Sequence, residues 1–389
     1  MATFALTGAA VFDGETLREG AAVVIAEGLI EAVCRHEELP GGMDRHHLDG
    51  GLVAPGFIDI QVNGGGGVLL NETPTFEGVR LICEAHRRFG STALLPTVIT
   101  DRPEVTFAAI DAVGEAMRQG VPGCIGIHVE GPFIARTRKG AHDPALIRPM
   151  TKADLKRLLA TDVRPLILTV APESVSNEQI RLLAAAGIIV SIGHSDAGFA
   201  SAAAAFRAGA RCGTHLFNAM SPLGHREPGL VGAILDDPEV WCGIIADGHH
   251  VHPAAIKTAL RAKQGTGRVL AITDAMSTVG VREDVFQLNG RMVTRQGGRL
   301  TLEDGTLAGS DLTMIDAVRH LRDVVGVPMV EALRMASLYP AQFLDDSSRG
   351  RLAAGKRADL IWIDVSDRLR EIWIGGECSV AGGAQAASG

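Results

Sequence analysis

Short apolar runs recur along the middle of the chain, and most are followed by a stretch with helical periodicity. Runs of this length between helical stretches are typical of buried parallel strands. We predict eight strands, at residues 56–63, 91–99, 123–130, 166–173, 188–194, 212–217, 241–247 and 269–276. The helical patterns include residues 76–86, 104–119, 177–186 and 196–208. Alternation of strand and helix predicts an α/β fold, a closed (β/α)8 TIM-like barrel.

The two ends of the chain show a different pattern. Residues 1–53 contain short strand-like runs separated by glycine turns, and residues 358–364 and 371–376 repeat this β character. Each end is too small to bury a core alone. We therefore predict that residues 1–53 and 346–389 combine into a small β-sandwich domain beside a hydrolase barrel of residues 54–345. The small residues from Ala381 onward are predicted to be frayed.

A long connection, residues 277–310, follows the eighth predicted strand and contains β-like runs around 285–288 and 299–302. Connections of this length on the catalytic face of a barrel are usually functional. We predict that it is a lid.

The composition narrows the class of protein. Of 389 residues, 46% are hydrophobic and 21% are charged, which predicts a large core. The net charge of −8 argues against binding to nucleic acid or to an anionic membrane. No apolar run approaches the roughly 18 residues that span a bilayer, and the first residues do not form a secretory signal, so we expect a cytoplasmic protein. The six scattered cysteines indicate reduced thiols rather than disulfides or a zinc knuckle.

Four ionisable residues, Glu130, His194, His215 and Asp274, end predicted strands. The carboxyl ends of the strands in a parallel barrel converge on one face. One carboxylate and two imidazoles suit zinc and leave a position for water, while Asp274 is free to move protons. Each residue also has a structural interpretation: a buried salt bridge for Glu130, a hydrogen-bonded core position for each histidine, and a helix N-cap for Asp274.

Three neighbouring positions refine this site. Asp247 ends the seventh run and competes with Asp274 for the catalytic role, and sequence alone separates them poorly. His128 shares a strand face with Glu130 and is interpreted as support for the site rather than as a ligand. Gln61 and Asn63 stand where two more ligands could have been, but amides are weak zinc ligands, so we predict one metal ion.

An anion could be held by the backbone amides of Asn218 and Ala219, by Arg226 and by His250. The forked guanidinium of arginine matches phosphate. The alternative for Arg226 is a surface salt bridge.

Eight motifs carry a family resemblance over nearly the whole chain. They are APGFID (54–59), HVEGPF (128–133), KGAH (139–142), GHS (193–195), THLFNAM (214–220), REPG (226–229), ADGHH (246–250) and LAGS (307–310). With these motifs the chain resembles the N-acetylglucosamine-6-phosphate deacetylase family of the amidohydrolase superfamily. Many superfamily members have His-x-His in the first strand; Gln61-Val62-Asn63 stands here instead, which matches the branch with a single metal ion.

The resemblance implies a set of roles. Glu130, His194 and His215 would hold one divalent metal ion, zinc, and Asp274 rather than Asp247 would be the acid and base. His142 would be catalytic by donating to the substrate carbonyl. Substrate contacts would come from Ala141, His142, Asn218, Ala219, Arg226, His250, Leu307, Ala308 and Gly309, and we add Gln61. The family is typically homodimeric, and whether Arg226 and His250 act within one subunit or across the interface stays open.

The implied reaction is hydrolysis of N-acetylglucosamine 6-phosphate to glucosamine 6-phosphate and acetate in amino-sugar metabolism. Two alternatives remain. One is another amidohydrolase reaction, catalysed by a deaminase or a cyclic amidase, for which Arg226 and His250 have no obvious role. The other is a non-catalytic sugar-phosphate-binding protein, which does not need Asp274.

Overall fold

Eight parallel strands form a nearly closed barrel in the computed structural model, which describes residues 3–381. In chain order the strands are Phe57–Val62, Ser91–Ile99, Ile127–Glu130, Leu166–Val170, Ile189–Ile192, Cys212–Gly213, Trp241–Ile245 and Val269–Ile272. Each strand pairs with its neighbours in sequence, and a parallel bridge between Val62 and Ala275 connects the first and last strands. The predicted barrel is confirmed. Of the tail predicted to be frayed, residues 382–389 lie outside the described part of the chain.

Helices follow the barrel strands and cover their outer faces. The α-helices are Phe76–Arg87, Pro103–Arg118, Lys152–Leu159, Asn177–Ala185, Phe199–Arg207, Gly229–Asp236, Pro253–Ala262, Met314–His320, Met329–Ala336 and Leu338–Phe343. Short 3-10 turns at His36–Glu38 and Arg136–Arg138 and a π-helical turn at Leu321–Val325 complete the set. None of the helices within residues 3–381 has the length and apolarity needed to cross a membrane.

The first of these helices shows why the sequence folds this way. The side chain of Thr75 accepts a hydrogen bond from the backbone N–H of Gly78 and so caps the start of Phe76–Arg87. Val79, Ile82 and Cys83 recur at intervals of three and four residues and are buried. The first two barrel strands are buried along their whole length, because one face meets helices and the other fills the barrel.

The two ends of the chain share a sheet, as predicted. Leu52–Pro55 pairs antiparallel with Leu360–Ile363 in a six-stranded sheet ordered Glu377–Val380, Leu369–Ile374, Leu360–Ile363, Leu52–Pro55, Ala10–Phe12 and Leu17–Arg18. A second sheet is ordered Leu29–Arg35, Ala21–Ala26, Phe4–Thr7 and Asp44–His47. A buried cluster that includes Leu6, Val23 and Trp373 draws on both sheets. The strand Leu52–Pro55 crosses the predicted domain boundary between residues 53 and 54.

The connection after the eighth strand is itself a sheet. Its antiparallel strands are Val285–Leu288, Arg291–Gln296, Arg299–Leu302 and Leu307–Ser310, and a small hairpin of Gly64–Gly65 and Val68–Leu69 lies after the first barrel strand. Leu288, Val293 and Leu300 of the four-stranded sheet share an apolar cluster with Leu69 and Met276. This cluster holds the sheet against the end of the barrel at which Asp274 lies.

Candidate active site

Three side chains at the carboxyl ends of barrel strands converge on one point. Glu130 Oε1 lies 3.0 Å from His194 Nε2 and 2.9 Å from His215 Nε2, and the two imidazole nitrogens are 3.0 Å apart. All three residues are buried. Ligands bound at 2.0–2.1 Å in a tetrahedral zinc site would be about 3.3 Å apart. The three donor atoms are therefore close to the spacing that a shared ion requires.

The chemistry of the donors also fits a divalent cation. Burial alone would raise the pKa of Glu130, but hydrogen bonds with His194 and His215 outweigh it and hold that pKa well below its usual value. His194 Nδ1 lies 2.8 Å from the carbonyl oxygen of Arg138, an acceptor that would hold the ring N–H on Nδ1 and leave the lone pair of Nε2 to a bound metal ion. A carboxylate and two imidazole nitrogens are the donor set that Glu130, His194 and His215 offer to one metal ion.

The backbone bends sharply at three of the four positions predicted from the sequence. His194, His215 and Asp274 have φ angles of 48°, 34° and 53°, in the left-handed region that residues other than glycine rarely adopt. Such conformations cost on the order of 1–3 kcal/mol each and persist where the surrounding structure imposes them, often at functional sites. The positive φ angles are thus a second, independent sign of a functional site.

Asp274 is partly buried beside the donor cluster and is held by two amides. Its Oδ1 accepts hydrogen bonds from Asn63 Nδ2 (2.7 Å) and Gln61 Nε2 (3.2 Å). Gln61 Nε2 also donates to Glu130 Oε2 (3.1 Å) and so links the carboxylate to the cluster. Burial and the negative charge of Glu130 raise the pKa of Asp274 to about 6.

A cavity of about 380 Å³ opens over the donor cluster and Asp274. Most of the predicted substrate contacts line it: Ala141, His142, Asn218, Ala219, His250, Leu307, Ala308 and Gly309. Gln61 does not line the cavity and is buried behind it. Arg226 does not line it either and is exposed on the loop that follows the sixth strand.

His142 lies against the cluster, with its ring centroid 4.4 Å from that of His194. Burial lowers the pKa of His142 to about 3, so the ring is neutral and carries one N–H. Its Nδ1 is 2.7 Å from Thr100 Oγ1. When the Thr100 hydroxyl donates to Nδ1, the N–H of the ring is on Nε2 and is free to donate to another oxygen.

Comparison with known families accounts for almost the whole chain. The model of the amidohydrolase family matches residues 52–384, and that of the NagA composite domain matches residues 3–53. The chain belongs to the amidohydrolase family.

Several relatives of this amidohydrolase have named activities. The N-acetylgalactosamine-6-phosphate deacetylase of Shewanella sp. (strain ANA-3) is 44% identical over 95% of this chain and 94% of its own length. The human N-acetylglucosamine-6-phosphate deacetylase is 40% identical over 86% of this chain and 85% of its own. The crystal structure of N-acetylglucosamine-6-phosphate deacetylase from Pasteurella multocida has a TM-score of 0.94 at 33% identity, covering 97% of this chain and all of that one. The activities named for these relatives differ in the amino sugar.

The other two ionisable candidates in the amidohydrolase make hydrogen bonds outside the donor cluster. Asp247 accepts hydrogen bonds from the backbone N–H groups of His249 and His250, and its Oδ2 lies 2.6 Å from His250 Nδ1. His128 Nδ1 is 3.0 Å from the carbonyl oxygen of Ile60, and its Nε2 is 2.7 Å from Thr169 Oγ1. Neither residue belongs to the donor cluster.

Two residues of this amidohydrolase site had no functional signal in the sequence. Asn63 lines the cavity and donates to Asp274, although its residue type indicates only that it is a poor metal ligand. Thr100, at the end of the second strand, becomes relevant only through its contact with His142. Both contacts join residues far apart in sequence, so local patterns do not reveal them.

Proposed function

We propose that this amidohydrolase hydrolyses N-acetylglucosamine 6-phosphate to glucosamine 6-phosphate and acetate, a step of amino-sugar metabolism. The observation that carries the proposal is one cavity holding both the Glu130, His194 and His215 cluster and a separate carboxylate, Asp274. A metal-dependent hydrolase of a linear amide uses these two elements, one to activate the carbonyl and water and one to move protons. The activities named for relatives that are 34–40% identical support the substrate.

We propose one zinc ion per subunit, held by Glu130, His194 and His215. When bound there, zinc would supply a Lewis acid that polarises a carbonyl group and acidifies water. Support for a single ion comes from Gln61 and Asn63, whose side-chain amides donate hydrogen bonds to Asp274.

Asp274 is the proposed proton carrier. It takes a proton from the attacking water as the water oxygen bonds to the carbonyl carbon, and it gives that proton to the nitrogen as the C–N bond breaks. The remaining acidic proton passes from acetic acid to the amine, so the products at neutral pH are acetate and an ammonium ion. A pKa of about 6 suits a group that accepts and returns a proton near neutrality. His142 would donate its N–H to the carbonyl oxygen as negative charge develops there.

A second candidate substrate is the galactosamine epimer. Two relatives, at 44% and 37% identity, are N-acetylgalactosamine-6-phosphate deacetylases. The epimers differ at one hydroxyl group of the sugar ring, and the acetamido chemistry is the same. The proposed mechanism serves either substrate.

The test is acetate release by the purified protein from both epimers, measured before chelation, after chelation and after zinc is restored. We expect turnover that chelation abolishes and zinc recovers. A higher kcat/KM for the galactosamine epimer would change the substrate but keep the reaction. No acetate from either epimer with metal present would refute the proposed function.

For the phosphate group we propose His250, which lines the cavity, together with Arg226 of a second subunit in a homodimer. Arg226 is exposed and outside the cavity of its own chain, which supports a role in another copy. The test mixes Arg226→Ala and Asp274→Asn subunits after dissociation. If Arg226 acts across the interface, each mixed dimer gains one intact site, and kcat/KM should reach about a quarter of the wild-type value. No recovery in a preparation shown to contain mixed dimers would place Arg226 in its own subunit.

A further inference from the structure

Asn63 carries a buried polar atom that the residues around it leave without a partner. The residue follows the first barrel strand, is 3% exposed and lines the cavity. Its Oδ1 is buried and makes no hydrogen bond within the described part of the chain. Buried side-chain oxygens are usually hydrogen-bonded, so an unpaired one in a residue that lines a cavity leaves an acceptor for a bound molecule.

The orientation of this amide is fixed by its other end. Asn63 Nδ2 donates to Asp274 Oδ1 at 2.7 Å, and an ionised carboxylate can only accept, so the amide cannot be turned round. The backbone is held on both sides: the N–H of Asn63 donates to the carbonyl oxygen of Ala275 (2.8 Å), and its carbonyl oxygen accepts from the N–H of Leu70 (3.0 Å). Asn63 therefore keeps an acceptor beside the carboxylate that moves the proton.

The reaction places a donor at this position. A nitrogen that receives the proton of Asp274 must come within hydrogen-bond reach of that carboxylate, and Asn63 is bonded to the same carboxylate. The acetamido nitrogen carries one N–H, and the ammonium product carries three. An amide oxygen accepts these hydrogens without taking the proton itself, because amides are not protonated near neutral pH.

We propose that Asn63 Oδ1 accepts the N–H of the substrate nitrogen and then of the ammonium group that leaves. This contact orients the nitrogen so that the lone pair it gains in the tetrahedral state faces Asp274. The inference rests on the proposed function and adds to it a substrate-binding residue specific for nitrogen at carbon 2 of the sugar.

The test is a double-mutant cycle between residue 63 and the ligand. Glucosamine 6-phosphate and its 2-deoxy analogue, 2-deoxyglucose 6-phosphate, are compared as competitive inhibitors of wild-type protein and Asn63→Ala. Only the amine can donate to Asn63. We therefore expect Asn63→Ala to raise the inhibition constant of glucosamine 6-phosphate about tenfold or more and that of the 2-deoxy analogue less than about twofold.

Gln61→Ala is the matched control. Gln61 also donates to Asp274 Oδ1 but does not line the cavity, so its removal disturbs Asp274 without removing an acceptor. We expect Gln61→Ala to lower kcat. The ratio of the inhibition constants of the two ligands should stay as in wild-type protein. Metal content and thermal melting establish that each variant is folded and loaded.

Equal weakening of both ligands by Asn63→Ala would overturn the inference. A loss of the ratio in Gln61→Ala would show that Asn63 acts only through Asp274, and would also overturn it. Failure of the proposed function has a different signature. In that case wild-type protein releases no acetate from either epimer.

Discussion

Asp247 and Asp274 occupy equivalent places in the barrel, yet the structure gives them opposite surroundings. Each follows the end of its strand, Trp241–Ile245 or Val269–Ile272, by two residues. Asp247 bonds within its own loop, to His249 and His250. Asp274 bonds to the neighbouring first strand, through the amide of Gln61, and to Asn63 directly after that strand, and it lines the cavity.

The different surroundings also shift the pKa values of the two carboxyl groups in opposite directions. Burial alone would raise the pKa of both residues. For Asp247 the hydrogen bond and charge of His250 outweigh burial and lower the pKa. For Asp274, burial and the negative charge of Glu130 outweigh the hydrogen bond from Asn63, so its pKa rises to about 6. A carboxylate whose pKa is lowered stays ionised near neutrality, whereas one whose pKa is raised to about 6 is able to exchange protons there.

Of the substitutions that test this comparison, Asp274→Asn should have the largest effect on activity. The amide cannot take a proton from water or return it to nitrogen, so kcat should fall by roughly 10²–10⁴-fold. Zinc content should stay at the wild-type level, because Asp274 lies outside the donor cluster. Acetate release and metal content per subunit measure the two effects. A near-normal kcat would remove Asp274 from the mechanism and return Asp247 to that role.

The pH dependence of kcat/KM tests the same difference between Asp274 and Asp247. A base works only when ionised, so kcat/KM should fall as the pH drops through the pKa of Asp274, about tenfold for each pH unit below it. That pKa is raised to about 6 partly by Glu130, and a divalent ion bound to Glu130 offsets some of this charge. We therefore expect the acidic midpoint at or below about 6. A profile of kcat/KM from pH 4.5 to 8 measures it, and a limb that disappears in Asp247→Asn would contradict the assignment.

Much of the barrel could be predicted because its signal is local. An apolar run of a few residues and a helical period are properties of neighbouring positions, and the helix predicted at 104–119 lies at Pro103–Arg118. The ends of strands are different. Residues 212–217 are predicted as a strand, but the strand is Cys212–Gly213, because His215 and Phe217 adopt positive φ angles. Nothing in the residue types of a histidine and a phenylalanine indicates this conformation.

The candidate site divides in the same way. Glu130, His194 and His215 could be predicted because each ends an apolar run and has a side chain that binds metal. The hydrogen bonds from Asn63 and Gln61 to Asp274 could not be predicted. They join residues 211 and 213 positions apart and form only when the barrel closes. The sequence shows that Arg226 is a residue type suited to phosphate. It does not show that Arg226 lies exposed outside the cavity of its own chain.

The smallest predicted effect is that of Asp247→Asn, which completes the comparison. The amide keeps an oxygen for the backbone N–H groups of His249 and His250 but loses the carboxylate oxygen that contacts His250 Nδ1. A less constrained His250 should bind the phosphate more weakly in ground and transition states alike. This raises KM by up to about tenfold and leaves kcat within about twofold of wild type. His250→Asn is the matched control, since it should reproduce the KM effect. A loss of kcat as large as that of Asp274→Asn, with metal retained, would mean that both strand-end aspartates act on the proton.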